Sequence, residues 1–182
     1  MKTIYLVRHA SAEGQPSSAP LTEKGRRQAR ALIEFFENKP VKKIYSSPFK
    51  RAVDTIKPTA AARNLEILED DRLAERVLSS VSREDWQEKL RQSFEDFSLE
   101  LEGGESHTSG MSRAVSILEE VLSSDASHII LVSHGNLTTL LLRYFNENFG
   151  FENLMDMTNP DVYEVVVSDE QALLKRIWDD RI

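Results

Sequence analysis

Two short apolar runs constrain this chain more than any other feature. Ile4-Tyr5-Leu6-Val7 ends abruptly on Arg8-His9, and Ile129-Ile130-Leu131-Val132 ends on Ser133-His134-Gly135. Runs of that length, rich in β-branched and aromatic residues and bounded by polar ones, read as buried strands. Each then delivers a histidine at its carboxyl end, where open α/β sheets bind ligands. Two readings follow: both rings stand over one crevice, or they are unrelated loop histidines. Periodicity does not decide between them, because it carries no information on contact across 125 positions.

The segments between these runs alternate helical and extended patterns. Ala29, Leu32, Ile33 and Phe36 recur at helical spacing behind Thr22, a good N-cap. Gly25 in the first turn of that helix points to close packing or backbone approach. Lys43-Ile44-Tyr45 reads as a strand, followed by Ser47 as N-cap and Pro48 at the first position of a helix that carries Arg51. A cation in a first helical turn opposes the helix dipole by about 0.3–1 kcal/mol unless an anion sits there too. Pro58 predicts a kink or restart in that helix. Leu65 to Leu68 is a third strand. Ser82 with Asp85 resembles a capping box, and Trp86, Leu90, Phe94 and Phe97 give a helix face. Gly103-Gly104 breaks the chain before the strongest helical stripe, from Ser106 to Leu122. A further helix is expected over about 136–148, and Val162–Val167 with Leu173–Trp178 as an antiparallel pair at the sheet edge. The alternation predicts one α/β domain over residues 1–182, a three-layer α/β/α sandwich with a mainly parallel sheet, an antiparallel edge strand and a helical insert at about 79–104 over the site.

Composition narrows the partners. The net charge is −7 and no basic run appears, so nucleic acid and anionic membrane are not expected partners. A local arginine cluster can still hold an anion against that global field. The absence of cysteine removes disulfides and thiolate chemistry together. No signal-peptide pattern and no apolar stretch near the roughly 20 residues of a membrane span is present, so a cytoplasmic setting is expected. Oligomeric state is not legible.

Arg8-His9-Ala10, Leu21-Thr22-x-x-Gly25, Ser46-Ser47-Pro48-x-x-Arg51-Ala52 and Ser133-His134-Gly135, in that order, resemble the histidine phosphatase superfamily, the phosphoglycerate-mutase-like family. Arg72-Leu73-Ala74-Glu75-Arg76 and Gly103-Gly104-Glu105-Ser106 fit the same pattern, and the match covers about the first three quarters of the chain. Ala10 departs from the family's usual glycine, which matters only if the turn needs a positive φ or very close backbone approach. The loop also lacks the Glu-Ser-x-x-Asn run of mutases, having Ser11, Ala12 and Gln15 instead; Ser11 and Gln15 are the candidate substrate-loop residues.

The resemblance implies a metal-independent phosphatase without cofactor. His9 attacks phosphorus and becomes phosphohistidine, Arg8 and Arg51 bind the phosphate oxygens as planar forks, and His134 donates to one of them. Glu75 matches the family's acid and would protonate the leaving oxygen. Against this stand a solvated loop carboxylate at Glu75, near Glu69, Asp70 and Asp71, and Glu105 as rival acid, although its place before the capping Ser106 favours a structural role. His107 and His128 are expected at the surface, and Trp86, Phe94 and Phe97 in helix packing. A metal site has no paired-histidine or His-x-x-x-His spacing to stand on. The function expected is hydrolysis of small phosphomonoesters. Alternatives are a phosphoglycerate mutase, which the short chain ending at Ile182 disfavours because such mutases tend to carry a closing C-terminal tail, and a non-catalytic phosphate-binding module.

Overall fold

The computed structural model describes residues 1–180. Its centre is a six-stranded sheet: β1 (Lys2–Arg8), β2 (Lys43–Ser46), β3 (Ile67–Glu69), β4 (His128–Ser133), β5 (Asp161–Val167) and β6 (Ala172–Arg176), in the order β3-β2-β4-β1-β5-β6. The β3-β2-β4-β1 half is parallel, and β5 and β6 extend it antiparallel. The two apolar runs of the sequence are the adjacent central strands β1 and β4, paired with Ile4 opposite Ile129 and Arg8 opposite Ser133.

Both faces of these strands are covered, which is why their apolar runs do not alternate with polar residues. Ile4, Leu6, Ile129 and Leu131 point to one side and pack with Ile117, Leu118 and Leu140. Those partners belong to α4 (His107–Ser123) and α5 (Gly135–Phe145). Tyr5, Val7, Ile130 and Val132 point to the other side and meet Leu32, Phe36 and Ile56. These come from α1 (Glu23–Phe36) and α2 (Lys50–Arg63). The three-layer α/β arrangement is as the sequence predicts.

The capping expectations divide. Thr22 Oγ1 accepts from Gly25 N at 2.9 Å and Ser106 Oγ from Ser109 N at 3.1 Å, so both cap as expected. A Cβ on Gly25 would fall 2.0 Å from the Ser11 carbonyl oxygen, the close approach that its position suggested. The start of α2 differs: Phe49, not Ser47, is its N-cap, and Ser47 is occupied elsewhere. Pro58, half-exposed, neither breaks nor restarts α2, which runs continuously from Lys50 to Arg63. No capping box forms at Ser82, because Arg83 takes the Asp85 carboxylate at 2.8 and 3.0 Å. The helix behind it, α3 (Trp86–Ser93), stops before Phe94 and leaves Phe97 outside. One helix was not foreseen, α6 (Phe151–Asp156). β6 ends at Arg176, so Trp178 lies beyond the strand, where its ring packs edge-on against Phe35 at 5.3 Å.

Candidate active site

The register of β1 and β4 settles whether the two histidines meet. Arg8 pairs with Ser133, and His9 N donates to the Ser133 carbonyl at 3.0 Å, so His9 and His134 leave neighbouring parallel strands side by side. Their ring centroids stand 5.1 Å apart at 63°. His9 Nδ1 lies 2.7 Å from the Ala10 carbonyl oxygen, which can only accept, so Nδ1 carries the hydrogen. Nε2 therefore keeps its lone pair, and Arg51 Nε donates to it at 3.3 Å. Ala10 does not adopt a positive φ. Its amide donates to Thr55 Oγ1 at 2.9 Å, and its side chain is fully buried. Alanine therefore meets no strain in place of glycine.

His134 is fixed from β2. Its Nε2 lies 2.8 Å from Ser47 Oγ, which also accepts from Phe49 N. Ser47 is thus committed to the second histidine rather than to a helix cap. With the Ser47 hydroxyl donating to Nε2, His134 Nδ1–H is a buried donor with no partner. Arg8 Nε is another, while Arg8 Nη1 donates to the Met157 carbonyl at 3.0 Å. Gly135 makes room for this guanidinium: a Cβ there would fall 3.1 Å from Arg8 Cζ. Arg51, also buried, is held by the carbonyls of Gln15 and Pro16 at 3.0 and 2.9 Å. Unpaired buried donors are costly. These two, one of them on the Arg8 guanidinium, beside the Arg51 guanidinium make a seat for an anion.

The same crowding keeps the rings neutral. Burial, opposed by the Ala10 hydrogen bond and assisted by Arg51 and Arg8, pushes His9 down to about 4. Burial and the neighbouring His9, Arg51 and Arg8 push His134 down to about 2. Both are uncharged at neutral pH, and His9 is a nitrogen base ready to share its lone pair.

Glu75 enters from the opposite wall. Ser133 Oγ donates to the Leu73 carbonyl at 2.6 Å and ties the 3₁₀ turn Asp71–Leu73 to the end of β4. Glu75 Oε1 then accepts from Leu137 N and Arg76 N at 2.9 and 2.8 Å, and Oε2 from Asn136 N at 3.1 Å. Oε2, with one amide donor against two on Oε1, keeps the lone pair that can hold a proton. Burial raises this carboxyl against the pull of the three amides and of Arg8. The residue keeps part of its surface open to the cleft even though its carboxylate is hemmed in by protein. Glu75 is therefore no solvated loop carboxylate. Glu105 is bound on both oxygens by Arg113 at 2.9–3.2 Å, the structural role that its place before Ser106 suggested.

Arg8, Arg51, Glu75 and Asn136 line one cleft of about 730 Å³. Gln15 lines it too. Ser11 does not: its amide and carbonyl are tied to Gln28 and Thr22, and it faces a separate surface hollow. His107 is a correction to the sequence reading. It is buried, stacked on Phe97 at 4.1 Å and 15°. His128 is half-exposed and stacks on Tyr5. Three site residues gave no sequence signal as such. Asn159 donates to the His9 carbonyl at 2.9 Å, and Asn136 offers its amide to Glu75. Arg76 is buried across from Ser93 and Asn136, with Nη2 unpartnered. The motif around Glu75 contained Arg76, but nothing in it told a buried cation from a surface one.

No group of three or more His, Asp or Glu among the described residues is placed to hold a metal ion, and no described helix is long and apolar enough to cross a membrane. Comparison with known proteins agrees with the geometry. Phosphoserine phosphatase 1 of Hydrogenobacter thermophilus is 33% identical over 150 residues, 74% of this chain and 71% of that protein. A Yersinia pestis protein named "Probable phosphoglycerate mutase GpmB" is 32% identical over 161 residues, 78% of this chain and 74% of its own. The mycobacterial glucosyl-3-phosphoglycerate phosphatase structure superposes with a TM-score of 0.78 at 23% identity over 97% of each chain, a likeness of fold. Residues 4–180 match the histidine phosphatase superfamily, branch 1, and the chain belongs to that family.

Proposed function

We propose that this protein hydrolyses small phosphomonoesters through a phosphohistidine on His9. One observation carries the reading: the lone pair of His9 Nε2 faces a cluster of guanidiniums and unpartnered buried donors, while Nδ1–H is pinned to the Ala10 carbonyl. A phosphoryl group entering this seat takes Arg8 Nε, His134 Nδ1 and the Arg51 fork on its oxygens, and Arg51 releases Nε2 as it does so. Nε2 forms the bond to phosphorus while the ester P–O bond breaks, and the leaving oxygen takes the proton held on Glu75. The incoming phosphate charge raises that carboxyl further and keeps it protonated for this task. Water then attacks phosphorus, Glu75 removes its proton, the N–P bond breaks, and inorganic phosphate leaves with His9 neutral again. The arginines do most of the electrostatic work, since phosphoryl transfer rests on positioning and charge stabilisation.

Hydrolysis is favoured over the mutase reaction because the cleft reaches the surface, with Trp86 and Met155 exposed at its rim, which leaves the phosphohistidine open to water. The proposed substrates, small phosphorylated metabolites, support a cytoplasmic setting. The test is 3-phosphoglycerate primed with a trace of 2,3-bisphosphoglycerate, followed for both products. Phosphate release should dominate, and rapid isomerisation with negligible phosphate would make the enzyme a mutase.

A further inference from the structure

The cleft has a second half that the phosphate chemistry does not use. Nine large apolar side chains are exposed among the described residues, and four of them line this one cleft: Val77 (45%), Val81 (45%), Trp86 (47%) and Met155 (38%). Leu90 and Leu154, buried beneath, continue the same wall down toward Gly135. The wall has two banks, α3 with the segment before it and α6. Arg91 clamps the banks together through Glu152 at 3.2 Å and the Phe151 ring at 4.4 Å. An apolar surface continuous with a polar anchor is the usual form of a small-molecule site, in which the anchor orients and the wall supplies affinity.

The charges near this wall say what the substrate lacks. Four arginines line the cleft, and Arg8 and Arg51 belong to the phosphate seat. Arg83, at the rim, is neutralised by Asp85 in a two-point contact. Arg76 is 2% exposed and is spent inside the protein, on the Glu105 carbonyl, Ser93 Oγ and Asn136 Oδ1, with the Glu105 carboxylate near it. Among the described residues of the cleft, no accessible unpaired cation remains for a carboxylate carried by the substrate. A phosphorylated amino acid or phosphoglycerate would lay that carboxylate against Val77, Val81 and Trp86, with only neutral side chains such as Ser79 and Ser82 to replace its hydration.

Resting on the phosphomonoesterase reading, we infer that the substrate is a phosphomonoester of an apolar, uncharged alcohol, with its hydrocarbon part lying on the Val77–Val81–Trp86–Met155 wall. The straight-chain alkyl phosphates from ethyl to octyl test this, because their leaving alcohols are almost equally basic and only apolar contact changes along the series. kcat/KM should climb about two- to fourfold per methylene over the carbons that touch the wall. Trp86→Ser, at a half-exposed position, should flatten that slope. Phosphoserine should fall at least tenfold below propyl phosphate, although its alcohol is the better leaving group. A flat wild-type series, or preference for phosphoserine or 3-phosphoglycerate over propyl phosphate, overturns the inference. Acetyl phosphate separates the two layers of the argument. If it labels His9 while the series is flat, only the apolar wall falls; if nothing is labelled and no ester turns over, the phosphomonoesterase reading falls and takes this inference with it.

Discussion

Acidification from pH 7 to pH 5 should destabilise this fold through its buried histidines. Burial, with the help of nearby arginines, holds His9 and His107 down at about 4 and His134 at about 2. In the unfolded chain the same rings titrate near 6.5. Above that pH they are neutral in both states and contribute nothing. Below it the unfolded chain takes up a proton at each ring and the folded chain does not, so stability drops as pH falls, until pH reaches the folded value. The slope approaches about 1.4 kcal/mol per pH unit for each ring, or about 2 kcal/mol per ring by pH 5. Three rings together reach at most about 6 kcal/mol. Glu75 works the other way: its raised carboxyl gains its proton in the folded state first, which stabilises on acidification and offsets part of the loss. A net loss of a few kcal/mol is a large part of the 5–15 kcal/mol typical of a domain. Urea midpoints at pH 7, 6 and 5 measure it. His107→Phe, which keeps an aromatic ring beside Phe94 and Phe97, should reduce the slope by up to a third. A midpoint that holds level from pH 7 to 5 would refute the argument, since it would mean the rings gain protons in the fold as readily as outside it.

Three further outcomes follow from the geometry. Arg51→Ala should lower kcat by about 10²-fold or more, the scale of losing one preorganised donor, and Arg51→Lys should not restore it, because a point charge cannot reproduce the fork; a change confined to KM would reduce Arg51 to substrate capture. Glu75→Gln should lose about 10²–10⁴-fold with alkyl phosphates and clearly less with nitrophenyl phosphate, whose leaving group barely needs a proton, when phosphohistidine formation limits the rate; equal losses across leaving groups would remove Glu75 as the acid. Gly25→Ala puts a Cβ where the Ser11 carbonyl stands, and should cost about 1–3 kcal/mol, or several degrees in Tm; an unchanged Tm would show that the loop moves aside freely.

The sequence was most legible where local pattern and tertiary role coincide. β1 and β4 stand out because burial on both faces demands unbroken apolar runs, and α1 and α4 because one face of each is buried. Arg8, His9, Arg51 and His134 were legible as an ordered motif, and the strand register brought them together. The misreadings share a cause. Ser47 has the local chemistry of an N-cap, but its hydroxyl is claimed by His134, 87 positions away. His107 looks like a surface histidine at a helix start, yet Phe94 and Phe97 fold over it. α6 spans six residues, fewer than two turns, too few for a helical period to register. Arg76 could not be told from a solvated arginine because its burial depends on Ser93 and Asn136 arriving from other elements.

The central claim is that His9 Nε2 carries the phosphoryl group. Brief incubation with phosphorus-labelled substrate, an alkaline quench and peptide mapping tests it directly. Acid-labile, alkali-stable label should appear on His9, attached at Nε2 because Nδ1 is committed to the Ala10 carbonyl, and should disappear in His9→Ala. Label on a serine, on His134 or at Nδ1 of His9, or steady turnover with no labelled protein at all, would contradict it.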